Sequence, residues 1–265
     1  MKFSFLSSAT LLLTLLCLCL TSFAQQAKPK IGDANFPKPS PSERHDRKLA
    51  EVKNGDFDLV LIGDSITHTL DHFPDKYEPL TAVWEKYYLP RKAINLGYSG
   101  YRTEQILWHL QNGELEFKRS PKVVMLLIGT NNLDDRNFET VHTAEEVFAG
   151  TKAIVELIRK RHPSTKVLVL RIFPRGGDDE KSQSPPHFNS SKQCIEACHK
   201  AGELTKKLAD GKHVFWLDIN HVFLRPDGKI NTELLWDLLH PSPTGAEAWT
   251  KAVLPTIDKL LAADD

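Results

Sequence analysis

Five short apolar runs, at residues 58–62, 93–96, 123–128, 167–172 and 214–217, punctuate this 265-residue chain. Most are apolar throughout rather than at every second position, so as strands they must be buried on both faces. Between them the spacing turns helical. Residues 103–111 put Ile106, Leu107 and Leu110 on one side, and 143–161 repeat apolar residues at Val147, Ile154, Val155 and Ile158 before stopping at His162-Pro163. Residues 190–208 and 243–261 complete the set. Strands alternating with helices imply a parallel sheet covered on both faces, a three-layer α/β/α sandwich in one domain over 43–265. No internal repeat interrupts it.

The first 42 residues read differently. Lys2 gives a positive start, residues 11–20 form a compact apolar run, and Ser22-Phe23-Ala24 offers small residues for cleavage. That run is about half of the roughly 20 residues a membrane-spanning helix needs, so a cleavable signal peptide over 1–24 is expected, not a membrane anchor. Residues 25–42 carry Pro29, Pro37, Pro39 and Pro41 among lysines and serines, the composition of an extended tether. A secreted or periplasmic protein is the expectation. Basic and acidic side chains balance at 34 each, which gives no electrostatic reason to expect nucleic acid or an anionic membrane as partner. Beyond the leader only Cys194 and Cys198 remain. One helical turn apart, they leave a disulfide open in an oxidising compartment, although a bridge within a turn strains the backbone and a metal site wants more ligands; two unlinked, partly buried thiols are the favoured reading.

In a doubly wound sheet, ligands bind outside the carboxyl ends of the strands. The chemically loaded residues fall there. Gly63-Asp64-Ser65 follows the first run, Gly97-Tyr98-Ser99-Gly100 the second, and Gly129-Thr130-Asn131-Asn132 the third. Asp237 and His240 stand three apart before the final helix. Ester cleavage through a serine needs a hydroxyl, a base for its proton and donors for the oxyanion. Ser65 is the candidate nucleophile, His240 the base and Asp237 its orienter. Asn131 and the backbone N–H groups of Ser65 and Gly100 are the candidate oxyanion donors. Each has a plainer reading as well: Ser65 as a helix cap, Gly100 and Asn131 as turn formers, His240 as a turn residue. The chain lacks a Gly-x-Ser-x-Gly elbow, a His-Glu-x-x-His zinc motif and a phosphate-binding Gly-Lys-Ser loop.

These four blocks in order resemble the SGNH, or GDSL, hydrolase family. Leu107-Trp108-His109-Leu110-Gln111-Asn112-Gly113-Glu114-Leu115, followed by the run into Gly129-Thr130-Asn131-Asn132, is similar to the branch holding the catalytic subunits of platelet-activating-factor acetylhydrolase. Phe173-Pro174-Arg175-Gly176 and Asp227-Gly228-Lys229-Ile230 fit the same branch. The resemblance implies a flavodoxin-like five-stranded sheet of order 2-1-3-4-5, the roles just given for Ser65, Asp237, His240, Gly100 and Asn131, and neither metal nor organic cofactor. Tyr101-Arg102 departs from the branch, which commonly has an acidic or small residue after the glycine. Asp64, Tyr101, Arg102, Asn132 and Trp236 are the candidate substrate contacts. Secreted relatives often resemble carbohydrate acetylesterases, so short acyl esters of carbohydrates are the expected substrates. Phospholipid esters are the alternative, and a non-catalytic carbohydrate-binding module the remote one. The oligomeric state stays open, a dimer included.

Overall fold

The computed structural model describes residues 34–71, 78–183 and 188–263. The expected leader and the first part of the tether lie outside them. Five strands, β1 (Leu59–Gly63), β2 (Ala93–Gly97), β3 (Val123–Leu127), β4 (Lys166–Leu170) and β5 (Val214–Leu217), form one parallel sheet in the order β2-β1-β3-β4-β5. This is the expected order, and the strand bounds match the sequence reading to within one or two residues.

The apolar runs work by feeding two cores at once. Leu59, Leu61, Met125 and Leu168 face one layer, where they pack with Trp249, Val253 and Ile257 of α7 (Pro243–Ala262). Val60, Ile62, Leu126 and Val169 face the other, against Ile106 and Leu107 of α4 (Thr103–His109) and Ile154 and Ile158 of α5 (Ala144–Arg161). With side chains alternating across the sheet, only a run apolar at every position fills both layers. The helix starts carry capping chemistry. Thr143 and Glu146 form a reciprocal capping box on α5, and Ser242 accepts from the Gly245 N–H ahead of α7, with Pro243 in its first turn. Cys194 and Cys198 lie on α6 (Lys192–Thr205), buried and unbridged.

Residues 34–42, part of the expected extended tether, lie against the domain. Ala34 is buried and its carbonyl accepts from Thr103 Oγ1 at 2.8 Å, while Lys38 N–H donates to Glu104 O at 2.9 Å. Ser42 then caps α1 (Glu43–Asn54), a helix the sequence reading did not single out. Finally, the helix expected over 103–111 is regular only to His109. A π-type turn, Leu110–Glu114, follows, in which Gly113 at φ 109° turns the chain back.

Candidate active site

Strand β1 ends at Gly63, and Asp64 caps a single helical turn, α2 (Ser65–His68), by accepting from Ile66 N–H at 3.0 Å. That cap fixes Ser65 at the carboxyl edge of the sheet. Across 175 positions of chain, Ser65 Oγ meets His240 Nε2 at 2.8 Å. His240 Nδ1 lies 2.8 Å from Asp237 Oδ2, and Asp237 Oδ1 accepts the backbone N–H groups of Leu239 and His240 at 3.0 and 2.7 Å. Two residues three apart reach each other this way because Leu238 between them takes φ 74°, a left-handed conformation that its wholly buried side chain holds in place. With the carboxylate on Nδ1, Nε2 is left as an acceptor facing the seryl hydroxyl. Phe188 packs edge-on against the His240 ring.

The remaining parts come from the second and third strand loops. Gly100 sits at φ 76° with open space where a Cβ would be, so its backbone conformation, not crowding, calls for glycine. Asn131 Nδ2 donates to Tyr101 O at 2.9 Å, and Asn131, Ser65 and Gly100 share the wall of one cleft. That cleft encloses about 310 Å³. Its far walls are Phe138, Phe188 and Leu239, with Thr69, Ser99, Asp134 and Asn137 as polar points.

The structure does not bring the other candidate contacts to that wall. Asp64 is buried beneath Ser65 as a cap, and burial raises its carboxyl to about 6 against opposing help from Ile66 N–H and the nearby His240 and Arg175. Asn132 accepts from Thr103 N–H and donates to Thr103 Oγ1 and Glu104 Oε2, tying two loops together. Arg102 is buried against Glu104, His142 and the Phe138 ring, and Tyr101 stacks on Tyr98. Trp236 is half-buried and does not line the cleft, although its carbonyl accepts from Gln183 N–H.

Two positioning residues escaped the sequence reading. Buried Arg175 fans out to Thr130 Oγ1, Asp134 Oδ2 and Ser190 Oγ at 2.9, 2.8 and 2.6 Å, bracing the loop that carries Asn131. Only its place in the family-like Phe173–Gly176 block hinted at it. His68 Nδ1 accepts from Ser99 N–H at 3.1 Å, next to Gly100. Burial, with the Arg44, Lys48 and Arg47 cations, lowers His68 to about 3, so its ring is neutral and its Nδ1 can accept. Nothing in the sequence marks a histidine three residues past a serine for that work.

The profile of the GDSL-like Lipase/Acylhydrolase family matches residues 61–248. The human platelet-activating factor acetylhydrolase IB subunit alpha1 is 33% identical over 220 residues, 83% of this chain and 84% of its own. The rat alpha2 subunit is 33% identical over 219 residues, 82% of this chain and 83% of its own. Among solved structures, a GDSL-like lipase from Bacteroides thetaiotaomicron superposes with TM-score 0.64 at 16% identity, covering 82% of this chain and 97% of that one. An acetyl xylan esterase gives TM-score 0.57 at 20% identity over 75% of this chain and 99% of its own. With the matched span running from strand β1 into helix α7, this chain belongs to the GDSL-like lipase/acylhydrolase family.

Proposed function

We propose that the protein is a serine esterase that removes a short acyl group, acetyl above all, from a carbohydrate or a similar alcohol. The observation that carries it is the chain of hydrogen bonds Ser65–His240–Asp237 opening onto a small, largely apolar cleft. Ser65 Oγ attacks the ester carbonyl while His240 Nε2 takes its proton. The carbonyl oxygen gains the negative charge, which Asn131 Nδ2 and the backbone N–H groups of Ser65 and Gly100 receive. Collapse returns the proton from His240 to the leaving alcohol and leaves Ser65 acylated. Water, deprotonated by His240, then releases the acid and restores the serine. Asp237 holds the tautomer and stabilises the imidazolium. No step needs a metal.

A cleft of about 310 Å³ is at the small end for ligand sites, and Phe138, Phe188 and Leu239 suit a short acyl group better than a long chain. The exposed Asn137 gives an alcohol hydroxyl something to bond. The fold shared with an acetyl xylan esterase supports the carbohydrate reading. The 33% identity to platelet-activating factor acetylhydrolase subunits supports a second reading, an acetylated phospholipid as substrate. Acetate release separates the two when measured on acetylated xylan, acetylated monosaccharides and an acetylated phospholipid. Ser65→Ala should lower release by about 10⁴-fold or more. Equal rates for the two proteins would remove the serine mechanism.

The N-terminal apolar run supports export as part of the same reading. Mass spectrometry of protein from the periplasm or medium should find a chain starting near Gln25. A cytosolic protein that retains Met1 through Ala24 would overturn it.

A further inference from the structure

Away from the cleft, beneath the loop that joins β2 to α4, four buried polar side chains meet. His45 comes from the first turn of α1, His109 ends α4, Glu114 closes the π-type turn, and Tyr98 stands two residues before Gly100. His45 Nδ1 lies 2.8 Å from Glu114 Oε1, His109 Nδ1 lies 2.7 Å from His45 Nδ1, and His109 Nδ1 lies 3.3 Å from Glu114 Oε1. Tyr98 Oη donates to the same carboxylate oxygen. His45 is 4% exposed, His109 0% and Glu114 1%, so solvent supplies none of their partners.

Hydrogen bonding accounts poorly for that triangle. Two Nδ1 atoms this close must share one proton, and a His45 Nδ1–H pointed at His109 is lost to Glu114. A cation resolves the conflict, because all three atoms can then present lone pairs to one point. Zinc bonds imidazole nitrogen and carboxylate oxygen at about 2.0–2.2 Å, and a triangle with these edges fits inside a sphere of that radius. Two imidazoles and one carboxylate are a donor set that suits zinc. We propose that His45 Nδ1, His109 Nδ1 and Glu114 Oε1 hold a structural zinc ion, with the Tyr98 hydroxyl bonded to the carboxylate ligand.

The local backbone is built toward this meeting. Gly113 at φ 109° turns Glu114 back onto the end of its own helix, and a Cβ there would stand 2.7 Å from the Leu49 side chain of α1. Glycine therefore permits both the reversal and the approach of the helix that carries His45. The ion would fasten α1 and α4 to Tyr98, and through it steady the loop ending at Gly100. Because the cluster is closed, the ion enters while the chain folds.

The test is metal content. Protein expressed in zinc-supplemented medium and purified without chelator should carry about one zinc per chain by elemental analysis. Protein grown with cobalt instead should show the visible d–d bands of nitrogen- and oxygen-ligated Co²⁺. His109→Gln and Glu114→Gln should lose both signals and melt several degrees lower, whereas Ser65→Ala should keep its zinc. Metal-free wild-type protein with no cobalt band overturns the proposal, whether or not the variants fold. So does stoichiometric zinc retained in a folded His109→Gln. None of these readouts requires the protein to be an esterase.

Discussion

Asn131 already has a partner in its resting state, the Tyr101 carbonyl at 2.9 Å. In the proposed mechanism that bond orients the amide, and its second N–H meets the oxyanion. Preorganised donors of this kind contribute about 3–4 kcal/mol to a transition state, while a single neutral hydrogen bond contributes only about 1 kcal/mol to stability. Asn131→Ala should therefore lower kcat by about 10²- to 10³-fold with a change in unfolding free energy near 1 kcal/mol. An unchanged kcat would take Asn131 out of the oxyanion site. Asp64 offers a different test, because burial raises its carboxyl to about 6 from an ordinary 3.8. Between those values the folded protein keeps a proton that the unfolded chain has lost. Its contribution is thus fully present below about pH 4 and is lost as pH rises through 6. Above pH 6 the buried charge is a cost. Asn can still accept from Ile66 N–H without that charge. Asp64→Asn should be more stable than the parent at pH 8 by on the order of 1–3 kcal/mol, and equal to it at pH 4. Urea unfolding at the two pH values checks this, and a difference that does not change with pH would rule it out.

At the scale of elements, what was legible tracks how local its cause is. Strands β1 to β5 could be read because burial on both faces demands unbroken apolar runs, a constraint written at every position. The loop residues Ser65, Gly100 and Asn131 could be read because a parallel sheet gathers the ends of its strands at one edge. Asp237 and His240 were legible as a pair, but the φ 74° at Leu238 that joins them was not, since leucine carries no sign of a left-handed turn. The substrate contacts were placed less well. Proximity in sequence to Gly100 and Asn131 nominated Tyr101, Arg102 and Asn132, yet all three turn their side chains into the packing behind the loops. The cleft walls instead come from Phe138 and Phe188, whose arrival depends on long connections with no periodic signature. Arg175 and His68 act through other side chains, and such support is invisible until the fold brings the partners together.

For the molecule as a whole, the segment 34–42 shows what composition leaves open. The three prolines there describe a chain that does not form a helix or strand, but they do not decide whether it docks. It does dock, along the layer that carries α1, α4 and α5. Gly150 of α5 shows how tightly: a Cβ there would stand 2.4 Å from Ala34 O and 2.5 Å from Thr103 Oγ1. Glycine inside a helix costs roughly 1 kcal/mol relative to alanine, a penalty accepted here to admit the strap. Thr103 opens α4, the helix that follows the Gly100 loop, so the strap leans on the back of the candidate active site. A chain beginning at Pro41 keeps the Ser42 cap of α1 but loses the bonds that Thr103 Oγ1 donates to Ala34 O and Lys38 N–H donates to Glu104 O. At about 1 kcal/mol for each bond, plus the buried Ala34, it should be about 2–3 kcal/mol less stable than one beginning at Ala34. For a domain of this size that corresponds to a fall in Tm of roughly 4–12 °C. Differential scanning calorimetry on the two chains decides it. A free tether would leave the two melting temperatures the same.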